Sequence, residues 1–539
     1  MIFTHTVQAQ PIPTPKQKPL YTAPVIIKQS VIVATKNNRP LTDREAKLYK
    51  EILQLQNAKQ WDKARSLIDK IDNKILLHFV TSQQSGQRLP PIKSNIQGTL
   101  ADLRYFARGS KYISESYKGG QRYELNLVKE ELEKYLDRGA VSSALSFFNR
   151  HRVQTYIDPI DKSQILAEIA SHYLYLKRYD SARATALKAL KSSDQAPLAG
   201  WVMGLSAWMR DDMVQATKYF TVAARAPYAS PWMTSAASYW GARAATRAKL
   251  YKEVSPLLAM AVKNQRTFYG LIATKALGYG YDFNWTMPQY TIEHTDLLYS
   301  FDAGARAVAY IKIGETSMAQ EELFALPVKK NPKLAEAAIA FAHHYNLAGY
   351  AMRFSSAMAN PAGGYYDAGL FPVSSWTKLA KDDDTAMLNA FIRQESRFRA
   401  TAMNATGATG LMQIMPNTAA FITEDGIYKT PEGQSQLSQP LNNVKIGTQY
   451  LNHLLDLQNV DNDMFSLTIA YNAGPGKLRR WKNDLNVDDP LLFIELLPSS
   501  ETRAFVERVM TNYWIYQMQM DNDPKTLMAV AQGDWPKIK

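Results

Sequence analysis

Glu395 stands where a carboxyl group could act as an acid. Asp384 is a good N-cap, and Met387, Phe391 and Glu395 follow it at i, i+4 spacing, with Leu388 and Ile392 alongside. This pattern predicts a helix whose apolar face carries Glu395 at its C-terminal end. A carboxylate there is desolvated and also feels the negative pole of the helix dipole, and both effects disfavour its charged form. A carboxylic acid that stays protonated near neutral pH is what general-acid cleavage of a glycosidic bond requires. The plain alternative is a glutamate that reaches water from a helix end.

Around this residue the chain organises itself in three parts. Residues 1–40 are rich in Pro, Gln, Thr and Lys, with PIPTPKQKP as the core of the run, and are expected to be extended or disordered. Small residues in Val7-Gln8-Ala9 suit a signal-peptidase site, but neither a charged region nor an adequate apolar stretch precedes them, so no working export signal is read. From 41 to 370 helical periodicity runs almost throughout, with no sustained period-2 pattern, and the expected fold class is all-α. Helical-hairpin signatures recur at Lys59-Gln60-Trp61-Asp62-Lys63-Ala64, Lys177-Arg178-Tyr179-Asp180-Ser181-Ala182 and Asp211-Asp212-Met213-Val214-Gln215-Ala216. Ala182 and Ala216 lie 34 residues apart, the tetratricopeptide period, which the other spacings do not keep. The expectation is an irregular α-superhelix. Asn360-Pro361-Ala362-Gly363-Gly364 is a strong breaker, which sets a boundary before a third part, 371–539. Tyr112 to Gly120 marks a second break.

Composition narrows the function classes. Hydrophobic content of 46% with 21% charged residues is ordinary for globular chains. No window approaches eighteen consecutive apolar residues, so no transmembrane helix is expected. The formal charge of +14 suits nucleic acid, an anionic membrane or an acidic polymer. No nucleic-acid fold motif is present, which favours the polymer. Cysteine is absent, which excludes disulfides, thiolate metal sites, cysteine nucleophiles and a lipoprotein anchor. Among eight histidines the adjacent pair His343-His344 points in two directions on a helix and reads as structural. No metal or cofactor is expected.

The residues after Glu395 bring a resemblance. Glu395-Ser396, then Gly407-Ala408-Thr409-Gly410-Leu411-Met412-Gln413-Ile414-Met415-Pro416, then Ala470-Tyr471-Asn472-Ala473-Gly474-Pro475, and finally Glu501-Thr502-Arg503 resemble the signature of the lytic transglycosylase catalytic domain. Four separated blocks in order over about 110 residues make a specific signal. The resemblance is strong over about 371–525. It implies a lysozyme-like, mostly helical domain that acts on peptidoglycan, in a periplasmic protein. Upstream, Trp232-Met233 through Tyr239-Trp240-Gly241-Ala242-Arg243 and Thr267-Phe268-Tyr269-Gly270-Leu271 resemble the superhelical part of soluble lytic transglycosylases. Their aromatics are expected to fill space between helices, with sugar stacking as the alternative.

The resemblance also implies a mechanism. Between Glu395 and the AYNAGP block, Glu424, Asp425, Glu432, Asp456, Asp461 and Asp463 read as loop and surface charges, leaving one convincing acid. In the family a single Glu protonates the bond between N-acetylmuramic acid and N-acetylglucosamine. It then takes the proton of the muramic 6-hydroxyl, giving a 1,6-anhydro end without water. Gln413 and Met415 match the family's sugar-contacting pair, Tyr471 and Asn472 are polar candidates near the acetamide, and Glu501 matches the E-T-R acid. The alternative for Glu501 is a salt bridge with Arg503 or a nearby base. The family usually has Ser nine residues after the catalytic Glu, where this chain has Asn404, still able to hydrogen-bond. Two competing readings are a lysozyme-type hydrolase on the same fold and a non-catalytic scaffold that only binds wall polymer. Envelope proteins are possible partners, and the superhelix is expected to guide glycan strands.

Overall fold

A computed structural model describes residues 39–85, 116–328, 331–356, 364–377 and 382–538. The Pro/Gln-rich run and Val7-Gln8-Ala9 lie outside the described residues, as do Tyr112 to Glu115 and the breaker from Asn360 to Gly363. Among the described residues the architecture is helical, with only isolated β-bridges at Met403–Thr409, Thr409–Ile414 and Asp463–Lys537. No described helix is long and apolar enough to cross a membrane.

One joint recurs along the superhelical part. At Lys59, Gly139, Lys177, Asp211, Gly314 and Asn346 the backbone takes positive φ. The next residue's N–H reaches back five positions, as Arg178 does to the Tyr173 carbonyl at 2.9 Å and Asp212 to Ala207 at 3.0 Å. This Schellman-type ending satisfies carbonyls that the helix would otherwise leave open. A new helix begins two residues after each joint. Five residues after each joint comes a buried alanine: Ala64, Ala144, Ala182, Ala216, Ala319 and Ala351. The small side chain lets the second helix of the hairpin lie close against the first.

Contacts divide the chain into two compact units. The first joins residues 1–95 to 283–370. Its first described helix, Asp43–Asn57, opens on a capping box between Thr42 and Glu45. It packs on the Asp302–Ile313 helix, where Lys312 donates to the Leu41 carbonyl at 2.6 Å and pairs with Asp43 at 2.9 Å. Phe79 meets Tyr310 edge-on at 5.1 Å. Buried Asp367 accepts the Asn284 backbone N–H at 2.7 Å, which ties the end of the second segment to its beginning.

The second unit joins 96–282 to 371–539. The chain changes unit at Leu370–Phe371, and the stretch that follows shares its unit with upstream helices. In that upstream part, Gly200 and Gly204 on the Pro197–Trp208 helix face the Met213–Arg225 helix. A Cβ there would come within 2.9 Å of the Ala223 backbone or 2.5 Å of the Phe220 ring, so glycine permits the close approach. The aromatics singled out in the stretches 232–243 and 267–271 are core residues: Trp232, Tyr239, Trp240, Phe268 and Tyr269 are all buried. Phe268 stacks on Trp514 at 5.3 Å. Trp240 Nε1 donates to the Tyr269 hydroxyl at 2.9 Å, and that hydroxyl donates to fully buried Glu495. Arg243 lies 4.5 Å from the Trp240 ring centre and pairs with Asp489. These contacts carry 371–539 on the upstream helices.

Candidate active site

The Asp382–Glu395 helix ends on Glu395. Ala386 to Leu388 and Ala390 to Ile392 are buried, with the Phe391 ring 4.7 Å from Tyr471 and 6.1 Å from Phe505. Polar side chains fix the helix from both sides. Buried Asn389 accepts the Ser374 N–H at 2.9 Å and donates to Thr377 Oγ1 and the Thr385 carbonyl, each at 2.8 Å. Arg393 donates to Asn512 at 2.7 Å and its guanidinium lies 4.3 Å from the Phe371 ring centre. Arg397 and Phe398 then take positive φ in succession, a sharp stop for residues without glycine's freedom. Phe398 is buried, and that burial holds the turn in place.

The glycine-rich loop beyond is pinned by two residues from other helices. Asn443, fully buried on the Pro440–Leu455 helix, accepts the Met412 N–H at 2.8 Å and donates to the Thr409 and Leu437 carbonyls at 2.9 Å each. Gly410 is at φ +82, and a Cβ there would stand 2.3 Å from Asn443 Nδ2. Tyr471, near the end of the Met464–Ala473 helix, donates its hydroxyl to the Met412 carbonyl at 2.6 Å. The backbone of Met412 is therefore clamped on both faces. Gln413 sits at φ +47 and donates both amide hydrogens, to the Ala402 and Gly410 carbonyls at 3.0 and 2.9 Å. Its half-buried Oε1 takes no hydrogen bond among the described residues.

The other residues singled out from the sequence divide into two groups. Asn472 lies near the E-T-R element, its Oδ1 accepting from Thr502 Oγ1 at 2.8 Å. Glu501 is exposed in the first turn of the Ser500–Gln519 helix, close enough for its charge to act on Glu395. Asn404 instead turns into its own loop. Its Oδ1 accepts from the Thr406 N–H, the Thr406 hydroxyl and the Ala408 N–H at 2.9 to 3.0 Å, with no hydrogen bond to Glu395. Met415 is half-buried at the N-cap of the Pro416–Thr423 helix. Arg503 donates to the Leu497 carbonyl and lies over the Tyr175 ring.

Electrostatics favour the protonated form of Glu395. Burial pushes the half-buried Glu395 carboxyl up to about 8, and the charge of Glu501 adds to the effect. At pH 7 such a group is protonated in about nine molecules of ten. Burial also raises the Tyr471 hydroxyl well above its ordinary value, with the Glu395 charge second.

The expectation that Asp463 is a surface charge is corrected. It is buried, caps the Met464–Ala473 helix by accepting the Ser466 N–H at 2.6 Å, and is pushed up to about 6 by that burial. It stands at the opposite end of that helix from Tyr471 and Asn472. Glu424, Asp425, Glu432, Asp456 and Asp461 are exposed. Among the described residues no group of three or more His, Cys, Asp or Glu could hold a metal ion.

Asn443, Thr502 and the Arg393–Asn512 pair were not found from sequence. Asn443 alone left a signal there: with Val444, Ile446, Gly447 and Leu451 it shares the buried face of its helix.

Residues 366–489 match the Transglycosylase SLT domain family. The soluble lytic murein transglycosylase of Salmonella typhimurium is 35% identical over 160 residues, covering 29% of this chain and 24% of that protein. The protein of the same name from Escherichia coli K12 is 28% identical over 276 residues, 50% of this chain and 42% of its own length. The matches thus span less than half the length of either relative. Among solved structures, an inactive variant of the lytic transglycosylase Slt from Pseudomonas aeruginosa aligns over 90% of this chain and 74% of its own. Its TM-score is 0.56 at 21% identity. A 70-kDa soluble lytic transglycosylase in complex with bulgecin A aligns over 92% of this chain and all of its own, with TM-score 0.57 at 16% identity. Those likenesses concern the fold. Residues 366–489 thus form a transglycosylase SLT domain, similar in sequence to that of the soluble lytic murein transglycosylases.

Proposed function

We propose that this protein is a lytic transglycosylase that cleaves the β-1,4 bond between N-acetylmuramic acid and N-acetylglucosamine in peptidoglycan. The observation that carries the reading is Glu395: a half-buried carboxyl at a helix end, held protonated near neutral pH inside the family's signature. Glu395 gives its proton to the glycosidic oxygen as the bond to the muramic C1 breaks, leaving the N-acetylglucosamine 4-hydroxyl. As carboxylate it then takes the proton of the muramic 6-hydroxyl while that oxygen bonds to C1. The proton returns to Glu395, no water is consumed, and a 1,6-anhydro end forms.

The surrounding residues suit this sequence of steps. Gln413, with both N–H groups tied to the loop, offers Oε1 as an acceptor in a fixed direction for a sugar hydroxyl or acetamide N–H. Asn472, held through its Oδ1 by Thr502, offers its amide N–H groups. Tyr471 fixes Met412, and its hydroxyl oxygen can still accept. Met415 supplies an apolar contact. Glu501 acts at a distance, its negative charge helping to keep Glu395 protonated. Asn404 shapes the loop. A periplasmic location follows from the substrate, and the helices before 371 guide glycan strands.

Product analysis of intact sacculi tests the proposal. Wild type should release muropeptides with 1,6-anhydromuramic ends, identified by mass. Glu395→Gln should lose at least about a thousandfold in turnover while still binding glycan. Reducing ends in place of anhydro ends would make the protein a hydrolase, and activity within about tenfold of wild type in the Gln variant would put the acid elsewhere.

A further inference from the structure

We infer that Tyr175, far upstream on the Pro159–Tyr175 helix, is a positioning residue for the reaction. Through Arg503 it fixes the first turn of the Ser500–Gln519 helix, and so the placement of Glu501 and of Asn472, which Thr502 holds. The inference rests on the reading of Glu395 as the acid.

Of three consecutive residues in that turn, two are anchored and one carries the charge. Glu501 is exposed, with its charge acting on Glu395. Thr502 is buried and donates to Asn472 Oδ1 at 2.8 Å, its hydroxyl also 2.9 Å from Ser499 Oγ. Arg503 donates to the Leu497 carbonyl, at the end of the Pro490–Leu496 helix, and its guanidinium carbon lies 3.7 Å from the Tyr175 ring centre. That separation is well inside the range of cation–π attraction. Neighbours on a helix project about 100° apart, so fixing Thr502 and Arg503 fixes the direction in which the Glu501 side chain leaves the helix. Ser499 caps the same turn by accepting the Thr502 N–H at 3.1 Å.

The chemistry of the wall facing Arg503 fits this task. His172, one turn before Tyr175, is held towards its neutral form, first by burial and then by the positive charge of Arg503. Asp137, at the end of the Gln121–Asp137 helix, acts on His172 in the opposite sense and more weakly. A carboxylate at position 175 would hold Arg503 too, but would bring a further negative charge towards Glu395. An aromatic face attracts the guanidinium with no formal charge. Glu501 and Tyr471 are then the groups whose ionisation is coupled to Glu395.

The test compares Tyr175→Leu, Tyr175→Phe and Glu501→Gln in the full chain, on soluble glycan fragments, with kcat and KM measured from pH 5 to 9. Both Tyr175 variants keep apolar bulk, and only phenylalanine keeps a ring face. Because a general acid must be protonated, activity falls as pH rises through its pKa, and removing a nearby negative charge lowers that pKa. Glu501→Gln should therefore move the alkaline limb to lower pH. Tyr175→Leu should move it in the same direction and cut kcat/KM by about tenfold, while Tyr175→Phe stays within about twofold. A leucine variant with the wild-type limb and kcat/KM overturns the inference, and so does a phenylalanine variant that loses as much as leucine. If thermal melts show the leucine variant unfolded, Arg503→Gln replaces it with the same expected shift and the same refuting result. Wild-type anhydro product and its loss in Glu395→Gln are scored in the same assay. Failure there sinks the proposed function, whereas an active wild type with unaltered Tyr175 or Arg503 variants sinks this inference alone.

Discussion

Glu395→Gln should stabilise the protein at neutral pH while it removes activity. Glutamine has nearly the shape of a protonated glutamic acid and cannot ionise. In the folded chain the Glu395 carboxyl is raised from 4.5 to about 8. Between these values the unfolded chain gives up its proton while the folded chain keeps it, so stability falls as pH rises. At about 1.4 kcal/mol per pH unit, the interval from 4.5 to 7 gives a ceiling of about 3 kcal/mol. The carboxyl is half-buried, and solvent screening reduces the effect to about 2 kcal/mol. Below pH 4.5 both states hold the proton and the variant should match wild type. The difference should then grow through neutral pH and level off above about 8. Urea unfolding of both proteins between pH 4 and 9, followed by tryptophan fluorescence, reads this directly. A stability difference that does not change across that range would refute the reasoning, because it would mean that folding leaves the Glu395 proton affinity unchanged.

Two further substitutions probe the support around the site. Asn443→Ala removes three buried hydrogen bonds to the loop and should cost about 3 kcal/mol in urea unfolding, with at least a tenfold loss of kcat/KM; a cost under about 1 kcal/mol would show that the loop holds itself. Tyr269→Phe takes a donor from buried Glu495 and an acceptor from Trp240 Nε1, and should cost about 2 to 4 kcal/mol with KM unchanged.

Local rules carried the sequence reading a long way. Glu395 was placed at the end of an apolar helical face by spacing alone, and the helix does end there. The hairpins at Lys59, Lys177 and Asp211 were visible because a turn residue and an alanine sit at a fixed offset in the chain. The joints at Gly139, Gly314 and Asn346 follow the same offset with different turn residues. Asp463 was misread because an acid followed by an apolar helix looks the same whether its N-cap is exposed or buried. Its burial comes with a return of the C-terminal residues, where the Pro536 carbonyl accepts the Met464 N–H at 3.0 Å. Asn404 could be seen to replace a serine, but its commitment to three donors of its own loop depends on backbone direction. The partnership of Arg503 with Tyr175 spans most of the second unit and has no local signature at either end.

The breaker before 371 sets a boundary in the chain, and 371–539 nonetheless shares its compact unit with upstream helices. Glu495 lies fully inside the protein and receives a hydrogen bond from Tyr269, which the chain supplies more than two hundred residues earlier. Trp514, on the helix that begins with the E-T-R element, has its indole stacked on Phe268. Arg503, two residues beyond Glu501, has its guanidinium on Tyr175. Removing the upstream helices would expose one face of an aromatic core, strip a buried carboxyl of a donor and release the turn that places Glu501. The first two effects act on stability, at about 3 to 5 kcal/mol for each large core side chain lost, and the third acts on the proton affinity of Glu395. The helices between 116 and 282 pack against 371–539 as walls and props, through Tyr269 on Glu495, Phe268 on Trp514 and Tyr175 on Arg503.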